Sequence, residues 1–287
     1  FENNHGTAPG AALEKNGKCV IILPGPPGEL VPMFNESVRG FLKKYSDGAI
    51  VSHTVNIIGM GESSVAEEIE DMFDAKNPTV APYAKSGEVR LRITAKAETA
   101  DEADKMCAPV VDEICSRLGD VVYGTDMNSI EERVVALLKE KGKKIATAES
   151  CTAGYIPKRL TDIPGASEVF ECGIVSYSND IKTKLLGVSP KTLETYGAVS
   201  EQTAREMALG AKHVSGADIA ISTTGLAGPG GDGILPGGLS FAAVTDGERT
   251  VVEKIVTGHE NDREYNRYVT ASRALNLARL MLEEKIK

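Results

Sequence analysis

The chain has 287 residues, 41% apolar and 25% charged, with a net charge of −9 and a pI near 5.2. This length supports two or three separate cores, while the acidity argues against a general nucleic-acid binder, because phosphate backbones are held by basic patches. No apolar run approaches the length of a membrane span, no charged-then-apolar leader opens the chain, and Cys19, Cys107, Cys115, Cys151 and Cys172 form no Cys-x-x-Cys pair, so a soluble cytoplasmic protein with free thiols and no zinc site is expected.

The opening, Asn3-Asn4-His5-Gly6-Thr7-Ala8-Pro9-Gly10, leads to an expected strand at Cys19–Leu23, a turn at Pro24–Glu29 and a helix from Glu29 to Lys44. That is too little to bury a core alone. Residues 1–47 therefore read as the tail of a larger domain.

Residues 48–124 read as a small α+β sandwich of β-α-β-β-α-β order: strand His53–Ile58, helix Ser64–Phe73, strands Thr79–Ala84 and Val89–Ala97, helix Ala100–Leu118, strand Asp120–Tyr123. Ser64 with Glu67, and Thr99 with Glu102, have capping-box spacing. Lys85-Ser86-Gly87-Glu88 makes a hairpin turn, and Val89, Leu91 and Ile93 alternate with Arg90, Arg92 and Thr94 to give one buried and one wet face. Gly59-Met60-Gly61 suggests the glycine loop of a KH nucleic-acid module, but the segment is acidic and lacks a basic loop, so a spacer role is expected.

Residues 125–287 form the largest unit. Ser129 and Glu132 open a helix whose Ile130, Val134, Leu137 and Leu138 share one face, and Gly142 ends it. The strand at Ile145 follows, then a helix after Thr152, a strand at Phe170–Tyr177, and helices from Asn179, Pro190 and Glu201, the last two capped by Ser189 and Ser200. Strand Asp218–Thr223 runs into the loop Gly225-Leu226-Ala227-Gly228-Pro229-Gly230-Gly231. A hairpin turning at Asp246-Gly247 joins strands Leu239–Thr245 and Thr250–Val256. The last helix, from about Asn261, lines up Tyr268, Ala271, Leu275, Ala278 and Leu282 in one stripe. Together these give an α/β domain, a mixed sheet covered by helices. Burial of the last stripe against a second copy would make a homodimer.

Polar groups gather at three strand or loop ends: Glu149-Ser150-Cys151-Thr152, Tyr177-Ser178-Asn179 with Lys182 a turn later, and Thr223-Thr224-Gly225. If these ends are neighbours they form one pocket at a sheet edge. Ser150 is then either a nucleophile or a helix cap, and Cys151 is its rival nucleophile. His213 and His259 have no acid placed to orient them, so the base for Ser150 would be a lysine whose pKa is lowered by burial or a nearby cation. Lys182, near a helix start, suits that role through the positive end of the helix dipole. Arg263 and Arg267, four apart on one helix face, could bind a phosphate, or pair with Glu260, Asp262 and Glu264.

Four separated motifs in order, Thr147-Ala148-Glu149-Ser150-Cys151-Thr152, Tyr177-Ser178-Asn179 with Lys182, Gly197-Ala198-Val199-Ser200, and Thr224-Gly225-Leu226-Ala227-Gly228-Pro229, closely resemble the C-terminal domain of the competence/damage-inducible CinA proteins. The middle segment resembles their KH-like domain, and Asn3–Gly10 with Leu23–Met33 resembles the end of their molybdopterin-binding-like α/β domain. The resemblance implies an amidohydrolase that converts nicotinamide mononucleotide to nicotinate mononucleotide and ammonia, with no cofactor. It implies Ser150 as nucleophile, Lys182 as base, Arg267 as a functional arginine, and amides at a helix start as oxyanion donors. Glu149, Thr152, Tyr177, Ser178, Thr224, Gly225, Gly228 and Arg263 are the expected substrate-binding residues. A metal-dependent ADP-ribose pyrophosphatase, requiring the missing front of the first domain and a divalent metal, and a competence- or recombination-related binding protein are the alternative readings. Ala153-Gly154 replaces the usual two glycines, and Pro157 falls within a helix normally free of proline, so that helix is expected to kink or start late.

Overall fold

The computed structural model describes residues 1–45 and 47–286; Ser46 and Lys287, the end of the expected third segment, lie outside the described residues. The chain divides into two compact units, Phe1–Val51 with Lys96–Asp104, and Ser52–Ala95 with everything described from Lys105 onward.

The first unit contains the hairpin β1 (Ala11–Lys15) and β2 (Lys18–Ile22), followed by α1 (Pro27–Met33) and α2 (Arg39–Leu42), joined by a π turn at Phe34–Val38. The helical run matches the expected helix but begins earlier, with Pro27 at its first position, where a missing N–H costs nothing. The sequence reading placed one strand here, at Cys19–Leu23. The hairpin has a second, because Asn16-Gly17 forms a two-residue turn with both φ angles positive, 53° and 73°.

Next in the chain are β3 (Ala49–Ile58), α3 (Glu62–Glu68), β4 (Thr79–Lys85), β5 (Glu88–Ala97), α4 (Ala100–Leu118) and β6 (Val122–Thr125), with sheet order β4-β5-β3-β6. Thr99 and Glu102 cap each other's amides at 3.2 and 3.3 Å, as the capping-box spacing requires. Ser64 and Glu67 do not: α3 starts two residues earlier, at Glu62 after Gly61, so Ser64 lies inside the helix. Along β5, Val89, Leu91 and Ile93 are buried as the alternation predicts.

The remaining elements are α5 (Ile130–Lys141), β7 (Ile145–Glu149), α6 (Tyr155–Thr161), β8 (Phe170–Val175), α7 (Asn179–Leu186), α8 (Pro190–Tyr196), α9 (Glu201–Ser215), β9 (Ile219–Gly225), β10 (Leu239–Thr245), β11 (Thr250–Val256) and α10 (Arg263–Leu282). The sheet order is β11-β10-β9-β7-β8, with β7 parallel to β8 and β9, and β10 antiparallel to both its neighbours. It is the expected mixed sheet between helices: Ile145, Ile219 and Ile221 pack with α5, α6 and α10, and Ala146, Ala148 and Ala220 pack with α7 and α9. Ser129 and Ser200 cap α5 and α9 through their hydroxyls, whereas Ser189 stands before α8 without a side-chain bond.

The α10 stripe of Ala271, Leu275, Ala278 and Leu282 is buried, and the helix packs on β9, β10 and α5 of its own chain. The stripe is therefore unavailable to a second copy, and the homodimer expected from it loses its basis. All five cysteines are free. Among the described residues no helix is long and apolar enough to cross a membrane, and no cluster of three or more His, Cys, Asp or Glu side chains is placed to hold a metal.

Arg279 of α10, fully buried, donates to the carbonyls of Asp120 at 2.6 Å and Val122 at 3.3 Å and to Glu283 at 2.9 Å. A lysine has a single donor nitrogen and cannot reach acceptors that the guanidinium meets from two separate nitrogens, Nη1 and Nη2. Arg279→Ala should therefore cost about 3 kcal/mol, read as a fall of roughly 5–10 °C in the thermal midpoint, and Arg279→Lys should recover only part of it; an unchanged midpoint would refute the clamp.

Candidate active site

All five residues of β7 are buried, and the strand lies between β8 and β9, so the carboxyl ends of three parallel strands meet. Backbone bonds extend the ladder past the strand: Ser150 N–H donates to Thr223 at 2.9 Å and Ser176 N–H to Glu149 at 2.8 Å. Strand alternation then decides which way each polar group turns. Ile145, Thr147 and Glu149 take the face of α5, α6 and α10. Ala146, Ala148 and, by the same period, Ser150 take the face of α7 and α9.

Lys182 approaches from that second face. In α7 it shares the buried side with Leu186, four residues on, so its stem runs inward rather than into solvent. Its amino group, in a side chain only 1% exposed, donates to Ser150 Oγ at 3.0 Å and to the carbonyls of Ser176 at 2.9 Å and Tyr177 at 3.4 Å. Burial lowers its pKa from the usual lysine value, with Cys151 opposing. The cause is thus loss of water, the first of the two routes expected for such a lysine.

Ser150 is no helix cap. The chain turns through Ala153 and Gly154, both at positive φ, and α6 begins only at Tyr155 with Gly154 as its cap. Pro157 therefore falls in the first turn, where proline is tolerated, and the helix starts late. Cys151 is beside the pair, but burial pushes its thiol up to about 12 against the pull of its own amide, which keeps it protonated and a poor nucleophile at neutral pH.

Ser150, Cys151, Tyr177, Lys182, Thr224, the loop Gly225–Gly231 and Arg263 line a cavity of about 340 Å³. Arg263 stands at its rim and donates to the Gly228 carbonyl at 2.7 Å. Four of the expected site residues are elsewhere. Glu149 is fully buried beneath α6, and its carboxylate accepts from the Ile156 amide at 3.1 Å. Burial raises its pKa, opposed by the Thr152 hydroxyl and the amides of Ile156, Tyr155 and Gly154. The helix-start amides expected to receive an oxyanion thus already face a carboxylate of the chain itself. Thr152 is buried against Thr223, hydroxyl to hydroxyl at 2.7 Å. Ser178 caps α7 through Ile181 N–H. Arg267 does not line the cavity: it donates to the Thr152 carbonyl at 2.7 Å and lies 5.6 Å from the Tyr155 ring centre, behind the nucleophile turn. Neither arginine pairs with Glu260, Asp262 or Glu264 among the described residues. The Ser176 and Tyr177 carbonyls have no side-chain signal in the sequence; Thr223, at the third of the expected polar ends, meets Thr152 through a strand register with Glu149 that the sequence does not show.

Fold and site define a multidomain α/β protein with a buried serine–lysine pair at the carboxyl edge of a mixed sheet. Residues 127–282 match the family model of the CinA C-terminal domain and residues 52–124 that of the damage-inducible protein CinA KH domain, and the chain belongs to the CinA family. A relative from Clostridium beijerinckii, named for competence-damage induction, is 53% identical over 264 residues, 91% of this chain and 64% of its own. A CinA-like protein of Desulfovibrio desulfuricans is 46% identical over 282 residues, 97% of this chain and 66% of its own, so the chain spans about two thirds of such relatives. The solved structure of competence/damage inducible protein CihA from Agrobacterium tumefaciens is 38% identical, with a TM-score of 0.51 over 54% of this chain and 93% of that one.

The raised pKa of Glu149 has a sign that can be measured. Its contribution to stability is fully present below the ordinary glutamate value of 4.5 and is lost as pH rises through the higher folded value. Glu149→Gln keeps an acceptor for Ile156 and does not titrate. Its thermal midpoint relative to the unmutated chain should climb as pH rises above 4.5; a difference independent of pH would show that the carboxylate is not strained by burial.

Proposed function

We propose that the chain is an amidohydrolase that converts nicotinamide mononucleotide to nicotinate mononucleotide and ammonia. The observation that supports this most directly is the 3.0 Å contact between the buried Lys182 amino group and Ser150 at the floor of an open cavity. The choice of substrate rests on the CinA motifs.

A neutral Lys182 takes the hydroxyl proton as Ser150 Oγ attacks the carboxamide carbon, and the C=O electrons move to oxygen. The Cys151 and Thr152 amides, which have no oxygen acceptor among the described residues, are the donors available to that oxyanion. Collapse breaks the C–N bond, Lys182 returns the proton to nitrogen, and ammonia leaves an acyl ester on Ser150. Water then adds to the ester carbon, giving its proton to Lys182; the C–Oγ bond breaks, Lys182 returns that proton to Ser150 Oγ, and the acid leaves as its carboxylate with its remaining proton lost to solvent. Arg263 would meet the 5′-phosphate at the rim. Each step uses this chain's own serine and lysine.

Ammonia release from nicotinamide mononucleotide in excess EDTA is the direct test. Ser150→Ala should lose at least about 10³-fold in kcat, Lys182→Ala about 10²- to 10⁴-fold, and Cys151→Ala little. Because burial lowers the Lys182 pKa, kcat/KM should rise with pH and level off below pH 10.5. Loss on Cys151→Ala with Ser150→Ala still active would name the wrong nucleophile, and an inactive unmutated chain would refute the substrate.

A further inference from the structure

Gly87, at the tip of the β4–β5 hairpin, has a left-handed φ of +69°, and a Cβ there would stand 2.9 Å from Cγ2 of Val269 on α10. Only glycine allows this approach. The approach delivers the next residue, Glu88, into the protein, where it is 6% exposed. Its carboxylate accepts from the Tyr123 hydroxyl at 2.9 Å and, more weakly, from the Tyr268 hydroxyl of α10 at 3.4 Å.

Tyr268 touches α6 in two places. The Arg159 guanidinium lies 4.7 Å from its ring centre, held there by Ser272 at 2.8 Å and Glu131 at 2.7 Å. The Tyr155 ring meets it edge-on at 6.3 Å. Tyr155 is the first residue of α6 and follows the Ser150–Gly154 turn directly; Arg267 lies over its ring and holds the Thr152 carbonyl. An unbroken series of contacts thus joins Glu88, which the catalytic chemistry does not use, to the turn that carries the nucleophile. That turn needs outside support, since Ala153 sits at φ +50°, unfavourable for a residue with a side chain.

We propose that Glu88 is a positioning residue for the serine–lysine site: through Tyr268 and Tyr155 it holds the turn Ser150–Gly154 in the conformation that sets Ser150 against Lys182. The KH-like segment is then part of the catalytic support, and its glycine-tipped hairpin is the contact that provides it. The kinetic half of this inference rests on the amidohydrolase reading; the structural half, order in the turn, does not.

The test uses the full chain with Glu88→Gln, which replaces one of the two oxygens that face Tyr123 and Tyr268 with an NH2 donor, and Tyr268→Phe, which removes one hydroxyl and keeps the ring. Ile93→Val, a core change in the same hairpin strand that leaves Glu88 alone, is the control for general destabilisation. Amide hydrogen exchange across Cys151–Tyr155 should speed up about 2- to 30-fold in both variants and not in the control. With nicotinamide mononucleotide, kcat should fall by a similar factor while KM stays within about twofold. The double variant Glu88→Gln/Tyr268→Phe should be less impaired than the product of the two single effects. Unchanged exchange in the turn, or equal acceleration in the control, overturns the proposal. If the unmutated chain releases no ammonia, the substrate reading fails and the exchange comparison still decides the positioning role.

Discussion

Hiding the Lys182 amino group is the constraint on which the rest of the site depends. A lysine at a helix surface is protonated and solvated, and as a base it is nearly useless at neutral pH. Here the i, i+4 pairing with Leu186 turns it inward, its neighbours exclude water, and its donors find Ser150 and two carbonyls. A fully ionised ammonium in such a place is costly, and that cost shifts the group toward the neutral amine a base must be.

The sheet supplies the other half. A parallel arrangement of β8, β7 and β9 ends three strands together, and the two-residue period sends Glu149 and Ser150 to opposite faces. Glu149 then answers the unpaired amides at the start of α6, and Ser150 faces Lys182 in the cavity. Two adjacent polar residues thus have unlike roles for a purely geometric reason. The same logic separates the arginines: Arg263 reaches the cavity rim from the first turn of α10, and Arg267, one turn on, supports the nucleophile turn from behind.

Helix α10 connects these parts. It buries its apolar stripe on the sheet, fixes the β6 region through Arg279, and meets the β4–β5 hairpin at Val269 and Tyr268. The stripe alone looked like a surface for another molecule. Its burial inside its own chain makes the helix a central beam of the second unit.

Local chemistry made much of this legible in one dimension. Thr99 with Glu102, Ser129, Gly142 and the alternation in β5 specify their elements through neighbours a few residues away, and the hairpin Leu239–Thr245/Thr250–Val256 was bounded correctly for the same reason. The Asn16-Gly17 turn was equally legible but went unread, while Ser64 misled because a capping spacing does not tell where a helix gains its first backbone bond. The sequence by itself determined the element order beyond the first hairpin, the family motifs and the pairing of Ser150 with Lys182 as candidates. Only the tertiary structure decided that these two meet, that Glu149 and Thr152 turn away from the cavity, and that Arg267 stands behind the turn, because strand register and helix packing join residues far apart in the chain and no local pattern records them.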